Sequence, residues 1–197
     1  NNNANGINIQ NLGILMAFGI AFLMGLSDDA YNTKPILKFS VQLLAALFLI
    51  STGTYITLFS SEILNYLLTI FWVVAVMNSI NMLDNMDAIT ATVSSSIIAT
   101  ILVIAFFQGA NSSDPFLITS LISVFGALLG FLIFNWHPSN MFMGDTGSQF
   151  LGIFLSTFAI IYLWNYKEPS GLEFPTKQIT FVGLAFIIPI IDTTTVI

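Results

Sequence analysis

Residues 63–87 read I-L-N-Y-L-L-T-I-F-W-V-V-A-V-M-N-S-I-N-M-L-D-N-M-D, fifteen mostly apolar residues followed by ten that carry three asparagines, two aspartates and a serine. An apolar run of that length is a membrane-helix signal, and the polar decade after it marks where the helix leaves the hydrocarbon. The whole chain agrees with this reading. Of its 197 residues 56% are hydrophobic and 7% charged, against the quarter or so of charged residues that a water-soluble domain carries. Lysine supplies all four basic residues, there is no arginine, and the net charge is -6. Such a chain lacks the clustered basic residues that nucleic acid or an anionic membrane surface requires, so cations are the better expected partners. With no cysteine, disulfides and thiolate metal sites are excluded.

The expected fold class is all-α, a polytopic membrane bundle of about seven transmembrane helices. The apolar spans run at roughly 12–26, 36–50, 63–77, 88–107, 116–134, 150–164 and 179–197. Short connections make neighbours antiparallel, and no linker divides the chain, so residues 1–197 read as a single domain. The opening N-N-N-A-N-G has neither a methionine nor a basic segment and is not a signal peptide; the chain reads as an internal fragment. In G-A-L-L-G, Gly126 and Gly130 form a small-x-x-x-small face, read as packing inside the bundle in preference to a homodimer seam.

Alternation of seven helices assigns the connecting loops to sides. The first, third and fifth loops share one face with Asp28, Asp29, Asp84, Asp87 and Asp145, and the end of the last span returns Asp192 to it. Glu62, Asp114, Glu168 and Glu173 fall on the other face and read as solvated surface. Lysines divide equally between the faces, so charge does not orient the chain. Six acids gathered on one rim repel one another unless something positive is shared among them. Asp carboxylates and Asn carbonyls are the oxygen ligands that Mg²⁺ accepts while it retains water and substrate phosphates, which points to phosphate chemistry.

Asn78, Asn81, Asp84 and Asp87 recur every third residue; if the helix continues, they share one slowly turning face. Polar groups at that depth are expensive, which favours a functional stripe over a helix end with ordinary loop solvation. Asp28 and Asp29 are either an N-cap for the helix after Lys34 and Pro35 or a pair that divides labour between metal and proton. In F-M-G-D-T-G-S, Gly144 and Gly147 flank Asp145, Thr146 or Ser148 is placed to cap the next helix, and that helix's first amides suit a phosphate. The single histidine, His137, lies beside Trp136 and Pro138 and reads as an interfacial residue near phosphate at most. A cation- or proton-coupled transporter is the competing class; it would place its acids mid-helix, whereas here only Asp192 lies within a span.

These motifs resemble the polyprenyl-phosphate N-acetylhexosamine-1-phosphate transferases. Three match in order: the D-D pair at Asp28 and Asp29, N-x-x-N-x-x-D-x-x-D at Asn78, Asn81, Asp84 and Asp87, and N-x-x-P-x-x-x-F-M-G-D-x-G-S from Asn135 to Ser148. The resemblance implies a Mg²⁺-dependent enzyme, Mn²⁺ serving as substitute, that joins N-acetylhexosamine-1-phosphate from a UDP-sugar to polyprenyl phosphate and releases UMP. It implies a bacterial inner membrane location with the site on the cytoplasmic side. Carried over residue by residue, Asp145 is the metal ligand, and Asp28 and Asp29 lie nearest the reacting phosphates, one of them a candidate base. Asn78, Asn81, Asp84 and Asp87 line the nucleotide pocket, Phe142 stacks on uracil, and Asn135 holds the site together. Lys38, Gln42 and F-N-W-H-P lean toward the N-acetylglucosamine branch rather than the muramoyl-pentapeptide branch. The family's usual glycines after the two aspartates are replaced by Asn85 and Ala88, and its upstream helices and downstream histidine-rich loop are not expected within residues 1–197.

Overall fold

A computed structural model describes residues 8–108, 114–166 and 175–196. The described residues form a helical bundle: α1 Ile9–Tyr31, α2 Pro35–Ser51, α3 Glu62–Leu83, α4 Ile89–Phe107, α5 Pro115–Asn135, α6 Gly144–Ala159, α7 Pro175–Ala185 and α8 Ile187–Val196. A π turn, Ile160–Trp164, prolongs α6. Lys167, Glu168, Glu173 and Ile197, which figure in the sequence reading, lie outside the described residues.

The helix ends follow local chemistry. Asn8 caps α1 through its side chain, which accepts from the Gln10 N–H. At the other end Asn32 turns into the left-handed region (φ 48°) and donates its N–H to the Asp28 carbonyl, closing the last turn. Pro35 and Pro115 each open a helix, where the missing N–H costs nothing. Asp114 caps α5 by accepting from the Phe116 N–H, and ties that end to α1 by accepting from Asn11 Nδ2 at 2.6 Å.

All seven apolar spans are helical where described, but they are not equivalent. Five of them, α1, α3, α4, α5 and α6 with its π turn, are long and apolar enough to cross a membrane. A sixth crossing exists only if α7 and α8 count as one span, and they meet at 66°. The break has a covalent reason: Pro189 would drive its ring against the Ala185 carbonyl four residues earlier, so the straight helix stops at Ala185 and restarts at Ile187. The remaining span, α2, has 17 residues, about 26 Å of helix, short of the ~30 Å hydrocarbon thickness. Among the described residues, α2 and the bent α7–α8 pair are thus the two of the seven expected spans that are not straight full-length crossings. The chain is a multi-pass membrane protein.

α6 is the axis of the bundle. It packs against α1 and α3, with Gly152 so close to α3 that an added Cβ would meet Met77 Cα at 2.6 Å. Phe18 of α1 closes on Phe150, Phe154 and Phe158 of α6, with ring centroids 5.4–6.4 Å apart. α5 is different. Its main neighbour is α4, and a Cβ at Gly126 or Gly130 would meet no described atom within 4 Å. The expected intrabundle packing role of those two glycines is therefore not what the fold uses; the close approaches between elements belong to Gly13, Gly25 and Gly152.

Candidate active site

The C-terminal ends of α1 and α3 and the N-terminal ends of α2 and α6 converge. Gly25 permits it: a Cβ there would lie 2.4 Å from the Asp145 carbonyl oxygen, so only glycine lets α1 touch the first turn of α6 backbone to backbone. Three connections thereby meet, as helix alternation requires. Asp29 reaches Asp145 and Thr146, and Asp87 reaches Ser139.

The centre of the cluster is a lysine held between carboxylates. Lys38 Nζ lies 2.5 Å from Asp28 Oδ2 and 3.4 Å from Asp145 Oδ1. Asp28 is buried, and its other oxygen accepts the Thr33 N–H at 2.9 Å and the Thr33 hydroxyl at 2.5 Å. Asn81 donates through Nδ2 to Asp145 Oδ1 and, at 2.8 Å, to Ser148 Oγ. One turn deeper, Gln42, Asn78 and Gln149 form an amide layer. Asp28, Lys38, Gln42, Asn78 and Asn81 all line a cavity of about 350 Å³ that opens between α1, α2 and α3.

Asp29 has a separate task. Its Oδ1 accepts the Asp145 N–H at 2.9 Å, and its Oδ2 accepts the Thr146 N–H at 2.9 Å and the Thr146 hydroxyl. It is an N-cap supplied from another helix, a carboxylate at the positive end of α6. Three expectations are corrected by this geometry. The α2 N-cap residue is Lys34, which makes no side-chain cap bond, so the aspartate pair does not cap that helix. Neither Thr146 nor Ser148 caps α6; both lie inside it. The first amides of α6 are directed at Asp29, leaving no bare amide pair there for a phosphate. Gly144 completes the fit: it has φ +67°, and a Cβ would crowd the Asp29 carboxylate at 3.0 Å.

The asparagine–aspartate stripe divides. Asn78 and Asn81 are on α3, Asp84 is its C-cap, and the chain has left the helix before Asp87. The continuous four-residue face expected from the spacing thus ends at Asp84. Asp84 is half-buried, and burial first, with the Asp145 and Asp29 charges adding to it, pushes its carboxyl up to about 6. Asp87 turns away to the loop after α5, where Oδ2 accepts the Ser139 N–H at 3.2 Å and pairs with His137 Nδ1 at 2.9 Å. His137 is therefore a partner of Asp87.

Asn135, 6% exposed, links two loops: its oxygen accepts the Ala88 N–H at 3.0 Å, and Nδ2 donates to the Met141 carbonyl at 2.7 Å. Ala88 needs that anchor, because it sits at φ 64° where a side chain is strained, at one of the two places where the resemblance leads one to expect glycine. Phe142 stands 76% exposed on the connection into α6. Asp192 is half-buried on α8, beside Thr193, whose hydroxyl donates to Ser79 Oγ on α3 at 2.7 Å.

Sequence reading gave Lys38 and Gln42 only a minor part and passed over Thr33 and Gln149. The signal was present as spacing. Lys38 and Gln42 on α2, and Asp145 and Gln149 on α6, are each one helical turn apart, the same two-layer step that Asn81 and Asn78 make on α3. Among the described residues no three His, Asp or Glu side chains form a closed metal cage. The carboxylates of Asp28 and Asp145 instead fit the Mg²⁺ habit of using one or two carboxylates and leaving its other positions to water and phosphate, while Asn81 presents its NH2 group to Asp145.

Comparison with known proteins identifies the family. A probable undecaprenyl-phosphate N-acetylglucosaminyl 1-phosphate transferase of Bacillus subtilis is 35% identical over 185 residues, 89% of this chain and 48% of that protein. A phospho-N-acetylmuramoyl-pentapeptide-transferase of Staphylococcus saprophyticus is 38% identical over 141 residues, covering 70% of this chain and 39% of that protein. A decaprenyl-phosphate N-acetylglucosaminephosphotransferase of Mycolicibacterium smegmatis is 31% identical over 160 residues, 72% and 39% respectively. The chain thus spans about half or less of the length of these relatives. The family profile described as Glycosyl transferase family 4 matches residues 11–163, more than half of the chain and every residue of the cluster around Lys38, and the chain belongs to that family.

Proposed function

We propose that this chain carries the catalytic core of an enzyme that transfers N-acetylglucosamine-1-phosphate from UDP-N-acetylglucosamine to a polyprenyl phosphate in the bacterial inner membrane, on its cytoplasmic side. The observation that carries the reading is the Asp28–Lys38–Asp145–Asn81 cluster at the mouth of the 350 Å³ cavity, in a chain of this family. In the proposed reaction a lipid phosphate oxygen attacks the sugar-linked phosphorus of the donor. The bond from that phosphorus to the bridging oxygen breaks, and UMP leaves with the electron pair.

The roles follow from the contacts. Lys38 is the one cation in the cluster and faces the phosphates as a point charge, held in place by Asp28 and Asp145. Asp28 in turn is aimed by Thr33, which fixes one of its oxygens so that the other meets Lys38. Asp29 sets the start of α6 and with it the position of Asp145. Both neighbouring carboxylates accept several hydrogen bonds, which weakens either as a proton acceptor. A lipid phosphate monoester, with a second pKa near 6, is already largely dianionic at neutral pH and needs little help from a base. Asp145 would hold Mg²⁺ through its Oδ2, the oxygen not engaged by Lys38, and the ion would supply neutralisation of the diphosphate oxygens. Phe142, exposed on the same rim, is the proposed platform for uracil.

The muramoyl-pentapeptide branch is the second reading, favoured by the 38% identity to the staphylococcal relative. One experiment separates them: the full-length enzyme in detergent with undecaprenyl phosphate and Mg²⁺. UMP release from UDP-N-acetylglucosamine that requires both lipid and Mg²⁺ is the expected result. Release only from the UDP-muramoyl-pentapeptide moves the chain to the second reading, and no release from either removes both.

A further inference from the structure

Beneath the charged cluster, Asn78 has its amide orientation dictated. Its Nδ2 group has two hydrogens, and both are spent: one on the Val74 carbonyl one turn back at 2.8 Å, the other on Gln42 Oε1 at 2.9 Å. Gln42 returns the contact through Nε2 to Asn78 Oδ1 at 3.4 Å and passes its second hydrogen to Gln149 Oε1 at 3.1 Å. The order cannot be reversed. A backbone carbonyl only accepts, so turning the Asn78 amide over would set its oxygen against the Val74 oxygen. The direction fixed at Val74 runs through Asn78 and Gln42 to Gln149, whose buried Nε2 ends the chain with no partner. Gln42 and Gln149 are 1% and 0% exposed, so water does not compete for these bonds.

The consequence concerns what Asn78 offers to the cavity it lines. With both donors committed, its remaining hydrogen-bonding capacity is a lone pair on Oδ1. We propose that the Gln42–Asn78 amide pair is a specificity element: Gln42 is a positioning residue that holds Asn78 as a pure acceptor, so the site selects a ligand presenting an N–H or O–H donor there. This deepens the transferase reading and rests on it. A nucleotide sugar carries two N–H groups of that kind, the uracil N3–H and the acetamido N–H. A buried acceptor left unpaired by an analogue lacking the donor is a strong basis for rejection.

The unpartnered Gln149 amide makes the test sharp. In Gln42→Glu the new carboxylate still accepts from Asn78 Nδ2, and Gln149 can turn its free Nε2 toward it, so the orientation of Asn78 survives. Gln42→Met keeps the volume but removes the acceptor that holds Asn78. A merely space-filling Gln42 predicts the reverse order, since a buried methionine is better tolerated than a buried glutamate. The measurement is the Kd of full-length protein, with Mg²⁺, for UDP-N-acetylglucosamine, its N3-methyluracil analogue and UDP-glucose. The wild type is expected to reject at least one analogue by tenfold or more. Q42M should lose tenfold or more in affinity for UDP-N-acetylglucosamine and discriminate less than threefold, while Q42E stays within threefold of wild type on both counts. The proposal is overturned if Q42M matches wild type, if the two variants fall together, or if wild type binds all three ligands equally. That last comparison decides the matter alone should Q42M not give monodisperse protein. A folded wild type that binds no UDP-sugar instead removes the transferase reading itself.

Discussion

α5 and α6 with its π turn have the same length, 21 residues, and opposite fates: 17% of the membrane-length window is buried in α5 and 78% in α6. Hydropathy does not explain the choice, because the more apolar of the two, with mean hydropathy 2.4 against 1.5, is the one left outside. In a bilayer, apolar surface gains nothing by leaving lipid for protein, so close packing and hydrogen bonding decide which helix is central. α6 has Gly152 where the α3 backbone touches it, and polar residues, Asp145, Ser148 and Gln149, that find partners on α1, α2 and α3. α5 has two glycines facing open space and a polar residue, Asn135, used only at its end. The helix that carries Asp145 is thus also the helix that organises the bundle.

That coincidence can be taken apart, beginning with the largest effect. Asp145→Asn in the full-length enzyme should lower kcat at least a thousandfold, about 4 kcal/mol of transition-state stabilisation, because the change removes charge from the proposed metal position. The melting temperature should move little, since Asn retains the backbone N–H that Asp29 accepts. Turnover within tenfold of wild type would detach the chemistry from α6. Gly152→Val attacks the packing instead. Its Cβ would lie 2.6 Å from Met77 Cα, backbone that cannot step aside, so we expect a loss of about 2–3 kcal/mol or failure to recover folded protein. A normal melting temperature would show that α3 and α6 are less tightly fixed than their contact implies.

How much of this was legible in sequence follows the same division. The helices were, because apolar length is a local property that a run such as 116–134 displays by itself. The cluster was legible as a set, since Asp28, Asp84 and Asp145 stood out against a chain with few charges. What escaped reading depends on three-dimensional partners. Asp29 resembles a cap for the next helix, yet caps one through a residue 116 positions away, and no spacing rule carries that information. Gly126 and Gly130 have the right interval for close packing, but so do Ala21 with Gly25 and Ser148 with Gly152, and only the latter two glycines meet another backbone, because the interval describes one helix and contact needs two. Asp87 continued the three-residue rhythm, but the helix stopped first.

Asp84 extends the comparison to pH. Its folded carboxyl sits at about 6 against an ordinary 3.8, so the folded state binds the proton more tightly than the unfolded chain does. Its contribution to stability is therefore greatest below pH 4, declines as pH rises from 4 to 6, and is lost above that. Asp84→Asn should melt higher than wild type at pH 7 and alike at pH 4, measured without divalent metal. Equal melting temperatures at both pH values would mean that Asp84 is ionised in the folded protein at no cost. Ala88→Gly is a gentler test of the same corner. Relief of the left-handed strain, roughly 1–2 kcal/mol, exceeds the extra backbone entropy of glycine, roughly 0.5–1 kcal/mol, so a small gain in stability is expected. A loss would show that Ala88 makes contacts worth more than its strain.

The smallest expected effect belongs to α5. Leucine at both Gly126 and Gly130 should shift the melting temperature by less than about 1 °C, a few tenths of a kcal/mol in a domain of this size. The positions face away from every described helix, and a leucine on a lipid-facing surface exchanges one apolar neighbour for another. Replacing glycine inside a helix also favours it slightly, so any shift should be upward. The same double change made at Gly25 and Gly152 should leave no folded protein, because both of those added side chains meet backbone within 2.6 Å. A marked fall in stability from the α5 substitutions would therefore mean that this face is covered in the membrane, and a mass measurement of wild type and variant in detergent would tell whether a second copy covers it: a wild-type dimer that becomes a monomer on substitution would turn the outer helix into an interface.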